Sequence, residues 1–339
     1  MRLLVLGGTH HVGRAAVETA LARGDEVTTL SRGVSGTPVA GAEARHADRL
    51  DPGALRAALG DDEWDAVLDT WSAEPVAVQT AARLLRGRAA HYSYISSCSV
   101  YTWPIAPGSD ESAPVVAGDP AGVDVSDYAA VKRGGELAVL EEFDGDVAIV
   151  RAGLILGPYE VVGRMPFWLS RIGASGRVPA PGPPDRPLQL VDARDIAAWV
   201  LGSRPVGTFN TVSEPGHTTI GELLELALRV TVRDAELVWL TPETVEAAGV
   251  SPWTELPIWV PPTGELAGLH ALDASAAAAA GLRCRPIEQT VADTWAWLQR
   301  EGLPERGSSR AGAPMDAAAE DRLWAAHEAA RSSGASQEP

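Results

Sequence analysis

The chain has 339 residues, a net charge of −17 and a hydrophobic content of 45%. The acidic balance excludes nucleic acid and anionic membrane surfaces as natural partners, because binding phosphate needs a concentrated basic face; no apolar run approaches the roughly 20 residues of a membrane span. Two cysteines, Cys98 and Cys284, imply no disulfide framework, and "MRLLVLGG" is too short an apolar start for a signal peptide, so a cytoplasmic protein is expected.

Strand-like and helix-like patterns alternate from the first residues. "RLLVL" is a buried strand and "HVGRAAVETALARG" a helix ended by Gly24. "EVTTL" is a second strand, "ARHA" a weak third and "PGALRAAL" a helix. "DAVLDT", "VAVQTAARLLRG" and "HYSYISS" continue as strand, helix and strand. After a loop rich in Pro, Gly and Ser come the helix "DYAAVKRGGELAVLEEF" and the strand "VAIVRAG". Such alternation implies right-handed crossovers and a parallel sheet covered on both faces.

Beyond Gly157 the pattern loosens. Two helical pieces flank the Pro-rich "RVPAPGPPDRP"; "GTFNTV" and "ELVWL" are strands; "TIGELLELALRV", "DASAAAAAGL" and "IEQTVADTWAWLQ" are helices. "SPWTELPIWVPP" is irregular. The expected division is a domain over residues 1–160 to which 188–212 returns, a lobe formed by 161–187 and 213–304, and a tail over 305–339. In that tail "SSRAGAP" reads as a linker, "MDAAAEDRLWAAHEAAR" as a short helix and "SSGASQEP" as disordered.

The stretch "LVLGGTHHVGR", Leu4 to Arg14, joins the first strand to the first helix. A dinucleotide-binding turn needs glycine where the chain leaves the strand and where the helix packs close to the sheet, with free helix N–H groups aimed at the pyrophosphate. Gly7 and Gly8 fill the first role and Gly13 the second. Thr9, His10, His11 and Val12 complete the turn, with His10 in the place of the usual middle glycine. His10 is expected beside the phosphates, where a positive charge is favourable. A metal site at His10 and His11 is excluded, since adjacent loop residues diverge and no ligand-spaced Cys or acid accompanies them.

At the end of the second strand an NAD-selective site would want an acid for the ribose 2′-hydroxyl. "LSRG" offers Ser31 and Arg32 instead, which suit a 2′-phosphate and favour NADP(H) over NAD(H). Further on, "YAAVK" puts Tyr128 and Lys132 on one face of a helix. A nearby ammonium favours the phenolate and brings a phenol towards useful acid–base strength. The Ser-rich strand end "SYISSCSVY" can supply a hydroxyl to hold a substrate oxygen.

Taken together, "GGTHHVG", "LSRG", "ISSCSVY", "YAAVK", "VRAGLILGP", "VDARDIA" and "AAGLRCRPIEQTVADTWAWL" resemble the short-chain dehydrogenase/reductases, and among them the extended or atypical branch of NAD-dependent epimerase/dehydratase-like proteins. The resemblance covers roughly residues 1–300. It implies an α/β fold, a Rossmann-type doubly wound parallel sheet with a smaller C-terminal substrate-binding lobe. It makes Tyr128 the catalytic tyrosine, Lys132 the lysine that also binds the nicotinamide ribose, and Ser97 the catalytic hydroxyl. Asp48 would meet the adenine amine. Asp69, Thr70 and Trp71 would line the cofactor ribose and the substrate. A homodimer paired through the Tyr128 helix and the helix before it is also implied.

The departures are informative. Cys98 and Ser99 stand where sugar-nucleotide 4,6-dehydratases carry Asp-Glu, which removes the base for elimination. "RAGLILGP" lacks the Asn usual in the epimerases, and Arg186 lies near, but out of register with, their diphosphate-binding arginine. Tyr101, Trp103, Trp168, Trp253 and Trp259 fall in loops or lobe helices expected near the site mouth, which points to an apolar or aromatic small molecule. The leading expectation is an NADP(H)-dependent oxidoreductase of a carbonyl or alcohol. The alternatives are an epimerase or isomerase of a sugar or sugar nucleotide that retains its cofactor, and a non-catalytic cofactor-binding regulatory protein.

Overall fold

The computed structural model describes residues 1–303 and 313–335. Two compact units divide the chain: Met1–Ile155, Leu190–Glu214 and Leu272–Cys284 form the first; Leu156–Gln189, Pro215–Ala271 and the segment from Arg285 onward form the second. Residues 272–284, expected in the substrate lobe, are therefore part of the first unit.

The first unit is built on a seven-stranded sheet. Its strands are β1 (Arg2–Leu6), β2 (Glu26–Ser31), β3 (Glu43–His46), β4 (Trp64–Asp69), β5 (Ala89–Ser97), β6 (Asp146–Ala152) and β7 (Gly207–Thr211). They lie in the order β7-β6-β5-β4-β1-β2-β3, and every pairing is parallel. Parallel neighbours need crossovers, supplied by helices α1 (His11–Ala22), α2 (Pro52–Leu59), α3 (Pro75–Leu85), α4 (Tyr128–Glu142) and α5 (Ala193–Ser203). Strand order reverses between β1 and β4, the switch point at which doubly wound sheets bind ligands beyond their carboxyl ends.

Each face of the sheet has its own core. On one face Leu3, Val5, Ala16, Val17, Val150 and Ile196 pack among α1 and α5. On the other, Leu4, Leu6, Leu55, Val78, Leu85 and Val139 pack among α2, α3 and α4. The alternation of Leu3 and Val5 with Leu4 and Leu6 is the two-residue period of a strand buried on both sides.

The second unit holds helices Arg164–Gly173, Ile220–Thr231 and Ile287–Glu301 and a parallel pair of strands, Gly176–Pro181 with Ala235–Leu240. The first of these strands falls in the stretch read from sequence as a Pro-rich loop. A two-stranded sheet consists of edges, and an edge tolerates the missing N–H of Pro179 and Pro181. The tail forms a helix over Ala317–Ala335, so residues 332–335, expected to be disordered, continue it. Arg171 clasps Glu320 at 2.6 and 2.9 Å, Arg177 lies 4.6 Å over the Trp324 ring, and Leu323 is fully buried. The expected linker "SSRAGAP" lies mostly outside the described residues, as does the final stretch 336–339. Among the described residues no helix is long and apolar enough to cross a membrane.

His270, for which the sequence offers no partner, is buried in this unit. Its Nδ1 accepts from Gln189 N at 3.2 Å and its Nε2 donates to Ile258 O at 2.9 Å, a pattern that fits the neutral ring. Burial lowers its pKa from 6.5 to about 4. The folded state thus prefers the neutral form, and this contribution to stability is complete above about pH 6.5 and lost as the pH falls towards 4. Denaturation of wild type and His270→Gln at several pH values is expected to show wild type losing on the order of 3 kcal/mol relative to the variant across that window.

Candidate active site

The turn after β1 has the shape of a phosphate cradle. Gly7 and Gly8 take φ of 128° and 109°, in the region open to glycine. A Cβ on Gly7 would collide with the Thr70 hydroxyl, which donates to Leu6 O at 3.1 Å, and a Cβ on Gly13 would stand 2.7 Å from Gly8 N. The helix start is therefore drawn against the loop as closely as backbone allows. His10 occupies the N-cap in an extended conformation and makes no side-chain cap. A helix start without a side-chain cap suits an anion, because its first N–H groups have no intrahelical partner. His11 absorbs the turn with a φ of 41°. Val12 is buried in the core behind it.

Burial and the neighbouring Arg14 lower the pKa of His10. Its position is set by the loop after β2: a Cβ on Gly36 would come within 2.8 Å of both the His10 ring and Thr9. At the end of β2, Ser31 Oγ accepts from Gly33 N at 3.3 Å and Arg32 is exposed. Asp48, just past β3, is exposed and accepts from Leu50 N at 3.0 Å.

Helix α4, which carries Tyr128 and Lys132, packs against β5 and the turn that follows Ser97. Ser97 ends that strand; its hydroxyl accepts from Ser99 N and donates to Ser99 Oγ. Asp127 caps α4 by accepting from the N–H groups of Ala129 and Ala130, which fixes Tyr128 in the first turn. Tyr128 is 36% exposed, whereas Lys132, one turn on, is 2% exposed. The Lys132 ammonium donates to Trp71 O at 2.6 Å and Ile95 O at 2.7 Å and lies 4.9 Å over the Tyr94 ring.

Several residues expected around the cofactor or substrate have other work. Asp69, placed by sequence at the cofactor ribose, is fully buried and turned into the fold; Arg49 binds it at 2.6 and 2.7 Å, Tyr92 at 2.6 Å and Trp71 N at 2.9 Å. Tyr101 is buried, its hydroxyl bonded to Asn210 Oδ1 and to Arg151. Trp168 and Trp259 lie in the core of the second unit, their indole N–H groups donated to Pro257 O and Gly182 O. These three aromatics pack the fold, because a fully buried ring with its polar tip spent has nothing to offer a ligand. Trp71 and Trp103 in the first unit and Trp253 in the second stay partly exposed.

Sequence reasoning passed over Glu136 and Arg151. Glu136, fully buried on α4, accepts from Ser96 Oγ at 2.7 Å and holds Arg151 of β6 at 2.9 and 3.0 Å. The available signal was an acid four residues past Lys132, on the helix face that carries Tyr128 and Lys132. A polar cavity of about 470 Å³ lined by Arg56, Asp61, Glu63, Arg83 and Arg88 lies elsewhere, at the amino ends of β4 and β5. There Arg83 is paired with Glu142, and Arg88 is spent on backbone carbonyls.

This fold is of the doubly wound Rossmann type. The model of the NAD dependent epimerase/dehydratase family matches residues 3–202, and the chain belongs to that family. Solved structures share the fold. The Bordetella bronchiseptica enzyme WbmG, crystallised with NAD and UDP, is 19% identical over 90% of this chain and 96% of its own, with a TM-score of 0.65. Thermotoga maritima UDP-glucose 4-epimerase, crystallised with UDP-glucose, is 16% identical over 88% of this chain and 99% of its own, at 0.64. The Bifidobacterium longum UDP-glucose 4-epimerase, crystallised with NAD+ and UDP, is 14% identical over 90% and 100%, also at 0.64. No curated protein matches the sequence.

The turn fits a dinucleotide cradle: Gly7, Gly8 and Gly13 leave no room for side chains between loop, sheet and helix, and that close packing brings an uncapped helix N-terminus up to the loop. Gly13→Val is expected to weaken binding of either nicotinamide dinucleotide more than tenfold, about 1.4 kcal/mol or more, as read by fluorescence titration of the folded variant.

Proposed function

We propose that the protein is an NADP(H)-dependent oxidoreductase acting on the carbonyl or alcohol carbon of a small molecule. The observation that carries this reading is the Lys132 ammonium, buried and held by two carbonyls one helical turn from Tyr128. The nicotinamide, when bound, supplies or accepts the hydride. Tyr128 gives a proton to the oxygen of the reduced carbon, or takes it in the reverse direction. The fixed positive charge of Lys132 favours the phenolate that this exchange requires. The Ser97 hydroxyl, already engaged with Ser99, reorients to hold the substrate oxygen. The exposed Arg32, with no acid at the end of β2, suits a 2′-phosphate. Trp71 and Trp103 remain as the first unit's aromatic surfaces for an apolar substrate.

A second reading has specific support. Family membership and the likeness to UDP-glucose 4-epimerases crystallised with UDP or UDP-glucose favour an enzyme that returns the hydride to the opposite face of a sugar or sugar nucleotide. The same Ser-Tyr-Lys set serves both reactions, which differ in whether cofactor is consumed.

NADPH is expected to bind at least about tenfold more tightly than NADH, roughly 1.4 kcal/mol, with Arg32→Ala abolishing the preference in a fluorescence titration. Tyr128→Phe is expected to bind cofactor normally and to lose turnover against a panel of carbonyl substrates. A tightly held, non-exchanging cofactor with no net NADPH consumption would replace the first reading with the second.

A further inference from the structure

We propose that the buried Arg49–Asp69 ion pair is a positioning device for Lys132, acting through the backbone of Trp71. The inference rests on the assignment of Tyr128 and Lys132 as the proton-transfer pair.

Trp71 lies in the loop between the end of β4 at Asp69 and the start of α3 at Pro75, where no strand ladder or helix fixes its peptide groups. Other contacts do so. Its N–H donates to Asp69 Oδ1 at 2.9 Å, its indole N–H to Glu74 O at 3.0 Å, and its ring lies 4.9 Å beneath the Arg49 guanidinium. Asp69 has no freedom of its own, since Arg49 grips both of its oxygens and Tyr92 donates to Oδ2. With amide, ring and indole pinned, the Trp71 carbonyl is fixed in direction, and it receives the Lys132 ammonium at 2.6 Å and the Tyr94 hydroxyl at 3.3 Å.

Energetics point the same way. Two charges taken fully out of water cost several kcal/mol each, and an apolar pair of similar volume fills a core as well or better. Packing alone therefore does not call for Arg49 and Asp69. What the carboxylate adds is an acceptor rigid enough to orient one amide and, across that residue, one carbonyl. The titratable groups around the Lys132 ammonium are Tyr94 at its side, Tyr128 one turn back on α4 and Glu136 one turn on, with Asp69, Arg49 and Tyr92 beyond the Trp71 peptide. The ion pair is neutral overall, so its removal acts on Tyr128 chiefly through where the ammonium sits.

The test is a phenolate absorbance titration of the full-length protein, with Tyr128 isolated by subtracting a Tyr128→Phe variant in each background. Burial pushes Tyr92 and Tyr94 well above the ordinary tyrosine range and Tyr101 to about 12, and the subtraction removes the remaining tyrosine, Tyr159. Arg49→Met/Asp69→Leu replaces the pair with apolar side chains and is expected to raise the Tyr128 midpoint by about one pH unit. Tyr92→Phe, a milder cut into the same cluster, is expected to raise it by a smaller, resolvable amount, and serves if the double variant does not fold. Lys132→Met is expected to raise it as well. A midpoint moved by Lys132→Met and unmoved in folded Arg49→Met/Asp69→Leu or Tyr92→Phe overturns the positioning role. A midpoint unmoved by Lys132→Met overturns instead the pairing of Tyr128 with Lys132 on which the inference rests.

Discussion

The helix that bears the candidate chemistry is held to the sheet by charge buried out of water. Glu136 sits one turn past Lys132 on α4, and Ser96 of β5 and Arg151 of β6 converge on its carboxylate. Arg133 adds a third donor at 2.8 Å. A buried carboxylate persists only when its lone pairs are satisfied, so α4 has one rotation and one height at which it can lie. The network runs on from Arg151 to the Tyr101 hydroxyl and from there to Asn210 on β7, tying the helix to three neighbouring strands. A slide of α4 by one residue would strand two charges, and Tyr128 and Lys132 inherit that precision from a residue that performs no chemistry.

The same helix accepts a cost to come close. Gly134 and Gly135 stand in its middle, where each weakens a helix by roughly 1 kcal/mol relative to alanine. A Cβ on Gly134 would meet Asp119 O and Pro75, and one on Gly135 would strike the Tyr94 ring and hydroxyl. The glycines let α4 approach Tyr94 closely enough for Lys132 to pass over that ring and reach the carbonyls beyond it. Helix propensity is surrendered for reach.

Much of this was legible in the residues. The strands and helices of the first unit follow the alternation of apolar runs with amphipathic ones, and the glycine turn and Tyr128/Lys132 declare themselves by spacing. What stayed hidden depends on partners distant in sequence. Asp69 reads as a strand-end acid free to meet a ribose until Arg49, from the loop after β3, is seen to occupy it. Trp168, Trp259 and Tyr101 read as site aromatics because they fall in lobe helices or irregular chain expected near the site mouth, yet position in the chain says nothing of burial. His10 sits where a positive charge is useful, but enclosure and Arg14, neither visible in its local sequence, lower its pKa. The dipeptide "GG" within "KRGGE" was a usable sign of close helix approach, since glycine in a helix interior needs a packing reason.

The assembly of the first unit from three separate stretches of chain bears on how it is made. Its outer strand β7 and helix α5, which packs on α1, come after the chain has already passed through residues of the second unit. A ribosome that has released the glycine turn, the Ser97 strand and the Tyr128 helix has therefore still not released the partner of β6 or the cover of α1. Until residue 211 emerges, the nascent sheet exposes the open edge of β6 and the apolar face of α1. Such edges are where growing chains aggregate or are captured by chaperones. A fragment cut at the sequence boundary near residue 160 would keep that exposed edge permanently, however complete its motifs.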